Sequence, residues 1–284
     1  MDVIGIVSPG AMGSALGRAW AAGGARVVAT VAGRSARTRS LAEGLELLPS
    51  LAEVVGVADL VVSICPPAEA APCAVAIVDA AAATGATPVL ADLNAVSPSV
   101  VEHLAVRAAD AGLGFVDGSI SGGPPVAGGD TMLYLSGPRA AELAAIEAVG
   151  LRRRVLGDRP GTASAVKMCT ASVYKGTTAV WVQALQSAEA LGVLDVVLAD
   201  LAEEYPAEAA GAARRIARAA SKSGRFVGEM EQIAATQGAA GASAELFEGM
   251  AAVYDRLSRT PLGALPPEAA RDLDDLGEVL RRLR

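Results

Sequence analysis

The first 22 residues leave few folds open to this chain. Val3 to Val7 is a short apolar run of strand type. It stops in Ser8-Pro9-Gly10-Ala11-Met12-Gly13, and the stretch from Ser14 to Ala22 is rich in helix formers, with Gly17 one helical turn past Gly13. Strand, glycine turn and helix in this order begin a βαβ unit of the kind that binds a dinucleotide. Gly10 lets the backbone approach a pyrophosphate and Gly13 lets the helix pack closely on the strand. The helix N-terminus turns free N–H groups and the positive end of its dipole toward the phosphates. Ser8 stands where the pattern usually has its first glycine. Ser8, Pro9, Gly10, Ala11 and Met12 are thus the expected phosphate-binding residues.

The same alternation continues. Arg26 to Ala32, Ala58 to Cys65, Pro88 to Leu93 and a run starting at Gly114 to Asp117 read as further strands, with alanine-rich helical segments between them and a last strand, Thr131 to Ser136, near the edge. Short, continuously apolar strands separated by helices predict a doubly wound, mainly parallel sheet covered on both faces: an α/β Rossmann domain. After about Gly161 the period changes. Val166, Cys169, Val173, Val180, Leu185, Ala188 and Leu191 recur at helical spacing, which predicts a helix of about 29 residues, or roughly 43 Å. Helices broken near Pro206, Gly224, Gly238 and the Pro261 to Pro267 loop follow. The expected division is a Rossmann domain over 1–160 and an all-α domain over 161–284, with the long helix between them.

The end of the second strand bears on which dinucleotide is bound. NAD-binding chains usually place Asp or Glu there for the ribose 2′-hydroxyl. Here the sequence reads Ala32-Gly33-Arg34-Ser35-Ala36-Arg37-Thr38, with two arginines, two hydroxyls and no acid. Guanidinium groups bind a 2′-phosphate through charged, bidentate hydrogen bonds, so Arg34, Ser35 and Arg37 predict NADP (NADPH). Cys65 and Pro66, where the third strand stops, and Asn94, just past the fourth, complete the expected cofactor set. Asn94 lies where it can approach the nicotinamide or the substrate.

Composition excludes other classes. A net charge of −7 without a basic cluster argues against nucleic acid as the main partner; Arg152-Arg153-Arg154 reads as a solvated turn. No uncharged apolar stretch reaches the ~18 residues that a membrane span needs, and the N-terminus does not have a signal-peptide layout. The expectation is a cytoplasmic protein. Three cysteines (Cys65, Cys73, Cys169) without paired spacing read as reduced thiols, and a single histidine, His103, reads as a helix surface residue. The acidic stretch Asp272 to Glu278 reads as a solvated helix face, and no metal site is expected.

Three segments together carry a resemblance. Ile4 to Gly13 ends in Gly10-Ala11-Met12-Gly13, Asp117-Gly-Ser-Ile-Ser121-Gly122-Gly123 follows a strand, and Gly161-Thr-Ala-Ser-Ala-Val-Lys167 opens the long helix. In order and spacing they resemble the β-hydroxyacid dehydrogenase superfamily, which includes 3-hydroxyisobutyrate and 6-phosphogluconate dehydrogenases, over nearly the whole chain. The resemblance implies an NADP-dependent dehydrogenase or reductase acting on a small hydroxy acid or carbonyl compound. It also implies that Lys167 is the proton relay, that Ser121, Gly122 and Gly123 hold a substrate carboxylate, and that the helical domain forms a homodimer. The chain departs from the family where asparagines often follow the lysine, since Thr170 and Ala171 stand there. It departs again where a glutamate acid stands in 6-phosphogluconate dehydrogenases; Tyr174 and Lys175 occupy that place. Lys167, Thr170, Ala171 and Tyr174 share a helix face at i, i+3, i+4 and i+7, so Thr170 and Tyr174 are expected to replace the missing groups and Lys175 to add positive charge. Imine reductases, which share this fold but usually have aspartate or tyrosine in place of the lysine, and a non-catalytic NADP-binding protein are the alternatives.

Overall fold

The computed structural model describes residues 3–284. It divides into two compact units, residues up to Met168 and Cys169–Arg284. The first contains strands β1 (Val3–Val7), β2 (Arg26–Thr30), β3 (Glu46–Leu47), β4 (Leu60–Ser63), β5 (Val89–Asp92), β6 (Phe115–Ser121), β7 (Thr131–Ser136) and β8 (Leu151–Val155). Its helices are α1 (Ala11–Ala22), α2 (Ala36–Leu41), α3 (Leu51–Val57), α4 (Ala70–Thr84), α5 (Pro98–Asp110) and α6 (Ala140–Ala145), with His103 exposed on α5.

The strands form one sheet in the order β3-β2-β1-β4-β5-β6-β7-β8. Every neighbouring pair is parallel except β6 and β7. That exception follows from the connection between them, because residues 122–130 are too few for the crossover that a parallel pair requires. The order reverses at β1 and β4, so ligands are expected beyond the C-terminal ends of these strands. Alternate residues of each strand enter opposite layers. Ile4, Ile6, Leu60, Val62, Leu133 and Leu135 pack with Leu16, Trp20 and Leu143 on one face. Val7, Val61, Leu90 and Phe115 pack with Ile77, Val101 and Leu104 on the other. The expected doubly wound α/β domain is present.

Three local expectations are corrected. Arg152–Arg154 form the body of β8 instead of a solvated turn. This strand, not β7, closes the sheet, and charged side chains are a common guard on an exposed edge. The two-residue β3 was not anticipated, being too short to show a period. The fifth strand runs on to Ser121, so that residue ends β6 itself.

The second unit is helical, as expected. Helix α7 (Thr162–Ala190), 29 residues long, begins in the first unit and runs on into the second. It is followed by α8 (Leu194–Glu204), α9 (Pro206–Ala210), α10 (Ala212–Ala220), α11 (Ser223–Ala239), α12 (Glu245–Ser258) and α13 (Leu276–Arg281). The break expected near Gly224 falls at Ser221–Lys222, and α11 runs through Gly224. Asp272–Asp275 lie ahead of α13, not on a helix face, and the Asp275 carboxylate caps α13 by accepting from the Glu278 N–H at 2.5 Å. The apolar stripe expected along α7 is only partly a core face. Leu185 and Ala188 are buried with Trp181 and Val182, whereas Val173, Val180 and Leu191 are more than half exposed. Among the described residues no helix is long and apolar enough to cross a membrane.

Candidate active site

The turn after β1 is shaped as its glycines require. Ser8 has φ 64°, the left-handed region, and among the described residues it is the only non-glycine residue there. It adopts the geometry that a glycine would take in the usual pattern, at some conformational cost. The Gly10 N–H donates back to the Ser8 carbonyl at 2.7 Å, which closes the turn. A Cβ on Gly13 would stand 2.9 Å from Ile64 Cγ2 and 3.1 Å from the Ser8 oxygen, so only glycine permits this close approach. By contrast, nothing lies within 4 Å of where a Gly10 Cβ would point. Helix α1 begins there without a side-chain cap. Open space facing uncapped N–H groups fits a pyrophosphate.

At the end of β2, Gly33 turns the chain with φ 68° and exposes Arg34. The Arg39 guanidinium holds this loop by donating to the Arg34 carbonyl at 2.5 Å. Ser35 caps α2, its hydroxyl accepting from the Thr38 N–H at 3.2 Å. Arg37 is exposed on the first turn of α2. The residues expected to take a 2′-phosphate are therefore together on one short loop and helix.

The ends of β4 and β5 are tied by a buried polar cluster. Asn94 is 2% exposed. Its Nδ2 donates to Asp92 Oδ2 at 2.7 Å and Ser63 Oγ at 2.9 Å, and its Oδ1 accepts from the Cys65 N–H at 2.6 Å. The Asn94 amide is thus engaged in holding the Cys65-Pro66 turn. Burial pushes the Asp92 carboxyl up to about 7 against the pull of its Asn94 hydrogen bonds, with Asp117 and Cys73 adding to the rise. The Cys65 and Cys73 thiols interact. That interaction raises Cys65 and lowers Cys73, whose thiolate is further favoured by Ser63 and by the nearby charge of Arg34.

A second buried carboxylate, Asp117 on β6, fixes the start of α7. Its Oδ2 accepts from Gly161 N–H (2.9 Å), Ser164 N–H (3.1 Å) and Ser136 Oγ (2.9 Å), and its Oδ1 accepts from Ser164 Oγ (2.7 Å). The Ala163 N–H donates to Ser136 Oγ at 3.0 Å, and Ser119 Oγ donates to the Ala163 carbonyl at 2.7 Å. These bonds satisfy helix-terminal amides that would otherwise be orphaned, and they place a negative charge where the helix dipole favours it. Burial nonetheless lifts the Asp117 carboxyl above its ordinary range, opposed by those same donors.

Lys167 lies one turn further along α7 and is half-buried. Its Nζ donates to the Ile120 carbonyl at 2.6 Å, at the C-terminal end of β6. The next residue, Ser121, is half-buried, and Gly122 (φ 111°) and Gly123 are exposed. Thr131 Oγ1 pins this loop by donating to the Gly123 carbonyl at 2.9 Å. Lys167 and the Ser121–Gly123 segment are therefore brought together on the sheet edge where β1, β4 and β5 also end. Sequence reasoning missed Asp92, Ser119, Ser136 and Ser164; the visible sign was a carboxylate at the end of an otherwise apolar strand.

In the second unit Thr170 and Tyr174 are exposed and Ala171 is buried. The Lys175 ammonium is paired with the buried Glu229 carboxylate, which Arg225 also contacts at 3.0 Å, and it sits 4.7 Å from the Phe226 ring centroid. The Tyr254 hydroxyl donates to the Lys175 carbonyl at 2.7 Å. Tyr174 and Lys175 both line a cavity of about 670 Å³ within this unit. Among the described residues no group of three or more His, Cys, Asp or Glu could hold a metal ion.

Comparison with known proteins agrees with this geometry. Residues 3–149 match the NAD binding domain of 6-phosphogluconate dehydrogenase, and residues 188–257 match a domain of unknown function, DUF1932. No curated protein sequence matches the chain. Among solved structures, a conserved hypothetical protein from Sinorhizobium meliloti is 26% identical, with a TM-score of 0.68, covering 100% of this chain and 97% of that one. The 3-hydroxyisobutyrate dehydrogenase of Mycobacterium tuberculosis shares the fold at 18% identity and a TM-score of 0.69, covering 100% and 99%. An imine reductase of Streptomyces aurantiacus shares it at 22% identity and a TM-score of 0.57, covering 99% of each. With its glycine turn, uncapped α1 and lysine-bearing α7 in place, the chain belongs to the family of the 6-phosphogluconate dehydrogenase NAD-binding domain, within the β-hydroxyacid dehydrogenase superfamily.

Proposed function

We propose that this chain is an NADP-dependent oxidoreductase that interconverts a small hydroxy acid and its carbonyl form, with Lys167 as the proton relay. The observation that carries the reading is the Lys167 amine held at 2.6 Å from the Ile120 carbonyl, directly ahead of Ser121-Gly122-Gly123. The bound nicotinamide supplies or accepts the hydride; the protein supplies placement and the proton path. In the reducing direction the Lys167 ammonium gives its proton to the substrate oxygen. In the oxidising direction the neutral amine takes the hydroxyl proton. The Ile120 carbonyl orients the amine. The Ser121 hydroxyl and the Gly122 and Gly123 N–H groups receive a substrate carboxylate.

Arg34 and Arg37 support NADP over NAD, since the loop offers guanidinium groups and no acid to a ribose hydroxyl. The exposed apolar side chains of Val173, Val180, Val196 and Leu246 support a homodimer formed through the helical unit, and the three free thiols fit a reducing, cytoplasmic setting. The test is a thermal-shift comparison of NADPH with NADH, followed by NADPH oxidation against a panel of hydroxy-acid-derived carbonyls and cyclic imines. A larger shift with NADPH and turnover of a carbonyl acid are expected. A larger shift with NADH overturns the arginine argument, and turnover of imines alone moves the chain to the imine-reductase reading.

A further inference from the structure

Five basic side chains of this acidic chain gather in the helical unit around the cavity of about 670 Å³. Lys175, Arg214, Arg215, Arg218 and Lys222 line it together with Phe226 and Tyr254. The charges are a consequence of how α10 folds. Its Ala212, Ala213, Ile216, Ala217 and Ala220 side is buried, so Arg214 and Arg218, four residues apart, emerge on the other face, with Lys222 four residues beyond.

Like charges at this spacing oppose the helix. Neither Arg214 nor Arg218 makes an ion pair among the described residues, and both are exposed to the cavity's solvent. Lys222 is drawn below the usual lysine range, first by partial desolvation and then by Arg225 and Arg218; Glu268 counteracts least. The one buried carboxylate nearby, Glu229, is already shared by Lys175 and Arg225. Arg215 donates to the Glu208 carbonyl at 3.0 Å and lies 5.3 Å from the Trp181 ring centroid, yet its Nε is buried without a hydrogen-bond partner among the described residues. Arg214 and Arg218 therefore bring donors and positive charge to this cavity with no acidic partner among the described residues. Local repulsion kept in one cavity is characteristic of a functional site. The Phe226 and Tyr254 rings, packed edge-to-face at 5.3 Å, give the cavity an apolar wall beside its charged one.

We propose that this cavity binds a multiply charged anionic group, phosphoryl or clustered carboxylates, of a small organic ligand whose hydrocarbon part lies on Phe226 and Tyr254. The anion site stands on the helical unit alone and does not depend on the oxidoreductase reading above. Arg214 and Arg218 carry the charge recognition, because they are the guanidinium groups left without acidic partners and can each offer a fork of two N–H donors.

The experiment is calorimetric titration of the full chain with pyrophosphate and, separately, with the tricarboxylate citrate, both in saturating NADPH so that the cofactor's own phosphate site is filled. Saturable binding of at least one is expected. It should weaken ten-fold or more in the Arg214→Gln/Arg218→Gln double variant and change less than two-fold in an Arg152→Gln/Arg154→Gln control on the β8 edge. Tighter pyrophosphate binding assigns the phosphoryl class, and tighter citrate binding the carboxylate class. No saturable binding, or equal loss in both variants, overturns the proposal. A separate titration of the same preparations with NADPH reads the cofactor's affinity, so failure of the anion site and failure of the nicotinamide reading are separate results.

Discussion

Replacing Asp117 by alanine removes the acceptor for four donors: the Ser136 and Ser164 hydroxyls and the Gly161 and Ser164 amides. The hydroxyls can turn to other partners, but the two backbone amides at the start of α7 cannot. A buried donor left without an acceptor costs about 1–3 kcal/mol, so the two amides alone cost about 4 kcal/mol. Asparagine is different. Its oxygen can occupy the Oδ2 position and keep three bonds, while its NH2 faces Ser164 Oγ, which can rotate to accept. What Asp117→Asn loses is charge assistance and a favourable helix-dipole contact, and it is offset by no longer burying a charge whose pKa burial has already raised. The expected change is about 1 kcal/mol. With roughly 2–4 °C per kcal/mol for a unit of this size, Asp117→Ala should lower Tm by about 8–16 °C and Asp117→Asn by no more than about 4 °C. Calorimetry of the full chain at pH 7.5 measures both. An alanine variant that loses less than about 1 kcal/mol, or an asparagine variant that falls as far as alanine, refutes the view that acceptor geometry at Asp117 fixes the helix bearing Lys167.

Asp92 gives a pH dependence of definite sign. Its folded pKa, about 7, lies above the unfolded value, so the native state binds the extra proton; the associated stability is present below about pH 4 and lost as pH rises to about 7, at most about 4 kcal/mol. Urea midpoints at pH 5 and pH 8 should differ more in the wild type than in Asp92→Asn; an identical difference in the two proteins contradicts the assignment. Gly13→Ala should cost about 1–3 kcal/mol through overpacking against Ile64 and the Ser8 carbonyl. Gly10→Ala should leave the Tm of the ligand-free protein unchanged and weaken NADPH binding, since its space is open; loss of Tm in both variants would mean that the Gly10 space is not a ligand cradle. Arg34→Ala/Arg37→Ala should raise the NADPH dissociation constant about 10–100-fold, for charged hydrogen bonds of about 1.5–3 kcal/mol, and leave NADH nearly unaffected; equal effects on both cofactors argue against 2′-phosphate contacts.

Much of this architecture was legible in the sequence because its signals are local. The β1 turn announced itself by glycines at fixed spacing, and the 29-residue α7 by its helical period. Ser8 was legible as an oddity, and its positive φ explains how a serine occupies a glycine's place. What stayed hidden depends on partners distant in sequence. Asp117 was visible within its motif, but its four donors come from residues 19 to 47 positions away. Asn94 looked available to a ligand, and only the pairing of β4 with β5 shows its amide held by Ser63, Asp92 and Cys65. The exposure of Val173, Val180 and Leu191 contradicts a period-based core face because period alone does not say whether an apolar stripe meets the same chain. The basic cavity passed unnoticed for a related reason: Arg214, Arg215, Arg218 and Lys222 read as an ordinary charged helix face until the fold sets them beside Lys175 and Phe226.

The central claim is that Lys167 moves the proton, and the most direct measurement is steady-state NADPH oxidation by wild type and Lys167→Ala on the best carbonyl substrate found, with NADPH affinity determined on the same samples. NADPH binding should be unchanged in Lys167→Ala and kcat should fall about 10²–10⁴-fold. Undiminished turnover in Lys167→Ala would contradict it.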